Sequence, residues 1–205
     1  MFSPKVILWG GLAGLFSGLF WMMAGSGGIV LALVLGLGGL AGLYSRQTGQ
    51  GGKLGLAGFA LGIIGTVLAL ATLWGGFPSG GFSNVKSDPA AAAPAALILS
   101  LGMIILGMGL ALLGLASLRS KTLSRWRGLP LGLGLLNTIQ GVTIVLFGYI
   151  ALSQGRNPWH VWPQGYTLIL VEFVLLGLGW IGLGAILVAD GNAQIPVAQP
   201  PVETA

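Results

Sequence analysis

Apolar residues fill this chain in six long runs, and the polar residues between them fall in short clusters rather than at alternating positions. A run of about 20 apolar residues is what an α-helix needs to cross about 30 Å of hydrocarbon. A membrane β-barrel would alternate apolar and polar residues along each strand, and that period is missing. The pattern predicts an all-α, polytopic transmembrane helical bundle with spans over 6–24, 28–44, 54–75, 96–117, 129–152 and 165–188. The second span, at 17 residues, is near the short limit for crossing. Gly25-Ser26-Gly27-Gly28 separates the first two spans and leaves room for a tight hairpin turn only. Lys5, the apolar run 6–23 and the small residues Ala24-Gly25-Ser26 also fit a cleavable signal peptide, which would leave five spans. The run is long for a signal, which favours an uncleaved first helix.

Charge sets an orientation. With the N-terminus inside, the cytoplasmic segments carry Lys5, Arg46, Lys53, Arg119, Lys121, Arg125 and Arg127, and the outer segments only Lys86 and Arg156. Seven basic residues against two is the bias expected of cytoplasmic loops, so both termini are expected in the cytoplasm. The loop over 76–94, rich in Gly and Ser and then in Ala and Pro, and a cytoplasmic tail over 189–205 carry too little large apolar surface to offset their ordering entropy and are expected to be disordered.

Composition narrows the function classes. A mean hydropathy of +0.93 with 6% charged residues leaves too little polar surface to cover a soluble domain. The absence of cysteine excludes disulfides, thiolate metal sites and cysteine nucleophiles. A sequence pI near 10.1 reflects basic residues in short loops, where they set topology and meet anionic lipid. No nucleic-acid partner is expected. Arg119, Lys121, Arg125 and Arg127, with Trp126 among them, form the strongest cationic cluster and are expected at the lipid headgroups. His160 is the only histidine and has no acidic or cysteine neighbours, so no metal site is expected. Trp159, Trp162 and Tyr166 beside it fit an interfacial aromatic belt. Gly177-Leu178-Gly179-Trp180-Ile181-Gly182 matches a dinucleotide fingerprint literally, but it lies inside an apolar run rather than between a strand and a helix. There is no GxSxG elbow with triad partners. No catalytic residue and no cofactor are expected.

The 38 glycines fall mostly inside the expected helices, where in lipid they let backbones approach closely. Gly10, Gly14 and Gly18 read as one groove, Gly58 and Gly62 as another, and Gly134, Gly141 and Gly148 as a seven-residue stripe. Packing within the protomer is the default for these faces. Gly39-Leu40-Ala41-Gly42-Leu43-Tyr44-Ser45-Arg46 recurs as Gly114-Leu115-Ala116-Ser117-Leu118-Arg119-Ser120-Lys121. The recurrence suggests a duplicated helical hairpin, the second and third spans matching the fourth and fifth, although a chain so rich in Gly, Leu and Ala also matches itself by chance.

One span carries a carboxylate, Glu172, with no basic residue in the same segment. An ionisable group at membrane depth is a functional-site hypothesis by default. Glu172 is expected about 10 Å below the outer boundary by helical rise. On the fifth span Asn137 and Gln140 share a face at i, i+3, and Thr143 is one further such step. Gln140, Thr143 and Thr66 fall near the depth of Glu172. Three readings follow: Glu172 binds a cation or exchanges a proton in a small polar cavity; it joins two helices by a hydrogen bond to Gln140 or Thr143; or it snorkels to the outer interface.

Tyr44-Ser45-Arg46-Gln47 and then Gly52-Lys53-Leu54-Gly55-Leu56-Ala57-Gly58-Phe59-Ala60-Leu61 resemble a pattern in uncharacterised bacterial multi-pass membrane proteins of unknown function. The resemblance covers about 20 residues and implies a bacterial inner-membrane origin. The expected function is a non-catalytic integral membrane protein, an accessory or structural subunit acting through helix packing in the lipid bilayer, with a membrane-protein partner or a homo-oligomer. The alternative is a small transporter or channel with Glu172 as proton or cation site.

Overall fold

The computed structural model describes residues 4–23, 26–48, 52–75, 89–121, 123, 126–153 and 163–193. The described elements are α-helices: α1 (Pro4–Met22), α2 (Ser26–Gln47), α3 (Gly52–Gly75), α4 (Pro89–Ser120), α5 (Leu129–Ser153) and α6 (Pro163–Ala193). Each contains a segment long and apolar enough to cross a membrane, and together they form a six-helix bundle of the multi-pass kind.

Three helices, α2, α4 and α6, depart most from the expected spans. α2 continues through Tyr44–Gln47, where no Gly or Pro interrupts it. α4 starts at Pro89 rather than after Pro94: proline is pre-organised for the first helical position, and Ala90–Ala93 are the strongest helix formers. Asp190–Ala193, expected to open the tail, instead close α6. The stretches 76–88 and 194–205, with Lys86, and the loop holding Arg156, Trp159, His160 and Trp162 lie outside the described residues, as does Arg125.

Apolar residues surround each helix, so a hydrophobic face does not decide what is buried. Small residues decide it. α1 lies between α2 and α6, and α4 lies between α3 and α5. A methyl added at Gly10 would meet the Gly38 carbonyl of α2 at 2.8 Å, and one at Gly11 the Gly184 carbonyl of α6 at 2.9 Å. On α4, methyls at Gly102 and Gly107 would meet the carbonyls of Gly65 on α3 (2.9 Å) and Gly134 on α5 (2.7 Å). Backbone meets backbone at these crossings, which maximises dispersion between helices in lipid. The result is two groups of three, α6–α1–α2 and α3–α4–α5.

The groups meet differently. At α2–α3 and α5–α6 the described glycines face side chains: Gly62 faces Leu40, Gly55 faces Gln47, Gly179 faces Leu133 and Gly182 faces Leu129. Tyr44 and Phe59 stack across the first of these contacts with ring centroids 4.6 Å apart. This seam of interdigitated side chains runs through the bundle.

One glycine expectation changes accordingly. Gly10, Gly14 and Gly18 are not one groove, because Gly10 serves α2, Gly18 serves α6 and Gly14 lies between them, against Gly184 of α6 and Gly39 of α2. Each four-residue step advances about 40° around a helix, enough to pass from one neighbour to the next. The two hairpins of the suggested duplication are packed differently: α4–α5 is a backbone contact, whereas α2–α3 is held apart by side chains. Gly134 and Gly141 do share a partner, α4.

At the end of the bundle carrying Arg46, Lys53, Arg119, Lys121 and Arg127, the basic end, Gln47 joins the two groups. Its Nε2 donates to the Leu113 carbonyl at 2.9 Å and to the Ser117 hydroxyl. Replacing this buried amide with alanine leaves both α4 groups without their α2 partner. Gln47→Ala is expected to destabilise the fold by about 1–3 kcal/mol, read as a lower midpoint in detergent unfolding. An unchanged midpoint would show that the amide does not tie the groups.

Candidate functional site

Glu172 of α6 and Gln140 and Thr143 of α5 collect along the α5–α6 part of the seam, with Asn137 at its inner edge. Leu129 and Leu133 of α5 pack on Gly182 and Gly179 of α6. Gln140 lies two helical turns beyond Leu133 on the same face, so it is directed at α6. Running the antiparallel register on from those two contacts brings Gln140 beside the turn that carries Glu172. One turn further, the Thr143 hydroxyl donates to Glu172 Oε1 at 3.1 Å. Asn137 sits between the α5 face on α4 and the face on α6, which aims it into the bundle.

Enclosure is nearly complete. Asn137 and Gln140 are 0% exposed and Glu172 is 5% exposed. The snorkelling reading of Glu172 therefore does not describe this conformation. Neither amide finds a hydrogen-bond partner among the described residues, and Glu172 Oε2 has none either. Trp180 Nε1, two turns along α6 toward the basic end, is likewise unpartnered while its ring packs on Gly36 and Gly39 of α2. Unpaired polar groups thus follow one another from Glu172 into the interior of the bundle.

The structure brings Glu172 and Thr143 into direct contact and places Gln140 and Asn137 on the adjoining turns of α5. Thr66 does not join them. Its hydroxyl is used on its own helix, donating to the Gly62 carbonyl at 2.8 Å. Ser17 is also absorbed elsewhere, by the Ala32 carbonyl of α2 at 2.7 Å.

Sequence reasoning missed Gln47, whose position beside Arg46 reads as loop, and Trp180, which it met only inside the Gly177–Gly182 match. It also missed the ion pair between Arg46 Nε and Asp190 Oδ2, 3.4 Å, which ties α2 to α6 at the basic end. A count of helix-compatible residues past Tyr44 is the signal that finds Gln47, whereas Asp190 is followed by Gly191 and Asn192, both weak helix formers, and has no such signal. Of the cationic cluster, Arg119, Lys121 and Arg127 are exposed at the basic end, and Arg127 Nε donates to the Leu123 carbonyl at 3.0 Å. Buried Leu123 anchors the described part of that connection, and Lys121 (φ 52°) turns the chain out of α4 in the left-handed region.

Chemically, the cluster offers oxygen donors from a carboxyl, two amides and a hydroxyl. Such hard donors suit a proton or an alkali-type cation, and among the described residues no group of three or more His, Cys, Asp or Glu stands ready for a metal ion. No family model, curated protein or solved structure matches the chain.

Proposed function

We propose that the chain is a small transporter or channel in which Glu172 takes up a proton or a monovalent cation within the membrane. The observation that supports this most is the enclosure of Glu172, Gln140 and Asn137 with polar atoms left unpaired. Each such group costs about 1–3 kcal/mol if it serves nothing but packing. Intramembrane ionisable residues mark ion and proton pathways. Charge favours a single positive charge: one carboxylate neutralises it, whereas a divalent ion would leave an unbalanced charge in a medium that penalises it. Under this reading the basic end faces the cytoplasm and the protein resides in a bacterial inner membrane.

The test uses purified protein in liposomes under an imposed potential, with a trapped pH dye and, separately, a sodium dye. Wild-type protein carries a proton or sodium flux above that of protein-free vesicles, and Glu172→Gln returns it to background while remaining folded. Wild-type flux equal to that of empty vesicles in both assays would overturn the reading.

The second reading is a non-catalytic accessory or structural subunit acting through helix packing. It is favoured by the Thr143–Glu172 hydrogen bond, an interhelical tie of the kind that joins membrane helices. Purification from native membranes in mild detergent distinguishes the two: an accessory subunit arrives with a stoichiometric partner chain.

A further inference from the structure

We infer that the protein is a carrier built from two oppositely oriented three-helix groups, α6–α1–α2 and α3–α4–α5, which rock against each other across the polar seam. The inference rests on the reading of Glu172 as the proton or cation site and adds how that site changes sides.

The packing relates helices three apart in the chain. α1 corresponds to α4, each being the centre of its group with glycines on two faces. Gly10 of α1 serves α2, and Gly11 and Gly18 serve α6; Gly102 and Gly109 of α4 serve α3, and Gly107 and Gly114 serve α5. α2 then corresponds to α5, and α3 to α6. The two seam contacts, α2–α3 and α5–α6, exchange under the same correspondence. Successive spans cross in opposite directions, so helices three apart run antiparallel. The relating axis therefore lies in the membrane plane, the arrangement of an inverted repeat, in which binding sites form where the repeats meet.

The two kinds of contact differ in how they can move. Every described glycine at which a methyl would come within 3 Å of another helix's backbone joins helices of one group. Such contacts have no rotamers with which to adjust. Further ties stay within the first group: Ser17 to the Ala32 carbonyl, Arg46 to Asp190, and Trp21 stacked on Phe173. Leu40, Leu129 and Leu133, by contrast, fill the seam with side chains that can change rotamer as the groups shift. Polar contacts across the seam include Thr143–Glu172 and the Gln47 amide on α4. A rigid-body motion of the groups opens those two contacts and leaves each group intact. A channel needs a continuous path through a fixed bundle; two rigid groups with the ionisable residue on their dividing surface make a carrier.

The chain has no native cysteine, so spin labels go on single introduced pairs. Thr48→Cys with Asn192→Cys reports within the first group, and Lys53→Cys with Gly132→Cys within the second; all four positions are exposed. Lys53→Cys with Asn192→Cys reports across the seam. In lipid nanodiscs the cross-seam pair is expected to give two distance populations whose ratio changes when Glu172→Gln is added, and the within-group pairs one narrow population each, unchanged. A single narrow cross-seam distance that Glu172→Gln does not alter would overturn the inference, as would within-group distances as broad as the cross-seam one. Glu172-dependent flux with a fixed cross-seam distance removes the carrier and keeps the site. Moving groups without any flux removes the site instead.

Discussion

Valine at Gly65 or Gly134 is expected to prevent the bundle from assembling, while alanine at Gly182 is expected to be tolerated. The reason lies in what the added atoms would strike. A methyl at Gly65 would lie 2.6 Å from the Gly102 carbonyl oxygen and 2.8 Å from the Leu106 Cα; one at Gly134 would lie 2.6 Å from the Gly107 carbonyl and 2.8 Å from the Ala111 Cα. All of these are backbone atoms. They move only if a whole helix moves, and separating α4 from a neighbour loses dispersion along the length of the pair, which in lipid is the main force holding it. The cost should exceed the roughly 1–3 kcal/mol typical of an overfilled core that can relax by side-chain shifts. At Gly182 the nearest atom is Leu129 Cδ2 at 3.2 Å, the end of a flexible side chain on the seam. Gly132 has nothing within 4 Å, and its alanine variant is expected to gain up to about 1 kcal/mol of helix propensity. Monodispersity on size exclusion and the detergent unfolding midpoint check the series. Equal loss at Gly182 and Gly65 would show that the seam is packed as rigidly as the groups.

The six spans and the site residues were legible in the sequence for simple reasons. Hydropathy finds a membrane helix whatever it packs against, and Asn137, Gln140, Thr143 and Glu172 stand out because almost every neighbour is apolar. An antiparallel hairpin of known lengths then puts Thr143 and Glu172 at one depth, and they do meet at 3.1 Å. Which face of each helix is buried was not legible. Lipid is as apolar as the bundle interior, so burial is decided by whether two backbones find small residues opposite each other, a property of a pair of helices. The recurring Gly39–Arg46 and Gly114–Lys121 segments show the consequence. Gly39 meets the ring of Trp180, Gly114 meets the backbone of Leu131, and Leu40 is buried where its counterpart Leu115 is exposed. Similar letters at two helix ends carry different partners. Gln47 and Trp180 escaped notice because their importance comes from α4 and α2, distant in sequence.

Leucine at Asn137 and Gln140 is expected to stabilise the protein and to abolish the proposed proton or cation flux. Each amide is buried with donor and acceptor unpaired, so each has lost its hydration without replacement. Replacing such a group with an apolar one of similar size removes that penalty, about 1–3 kcal/mol per residue. The two lie one turn apart on α5, so the gains should combine less than additively. Leucine at both positions would also line the turns next to Glu172 with hydrocarbon and remove the oxygen donors a cation needs. A passive packing role makes a different prediction for the same pair. If the amides hold helices together, the unfolding midpoint falls and any flux is untouched. A higher midpoint with lost flux means that the chain keeps polar groups that weaken it because the seam must accept a charge, and a lower midpoint means that the seam is a joint.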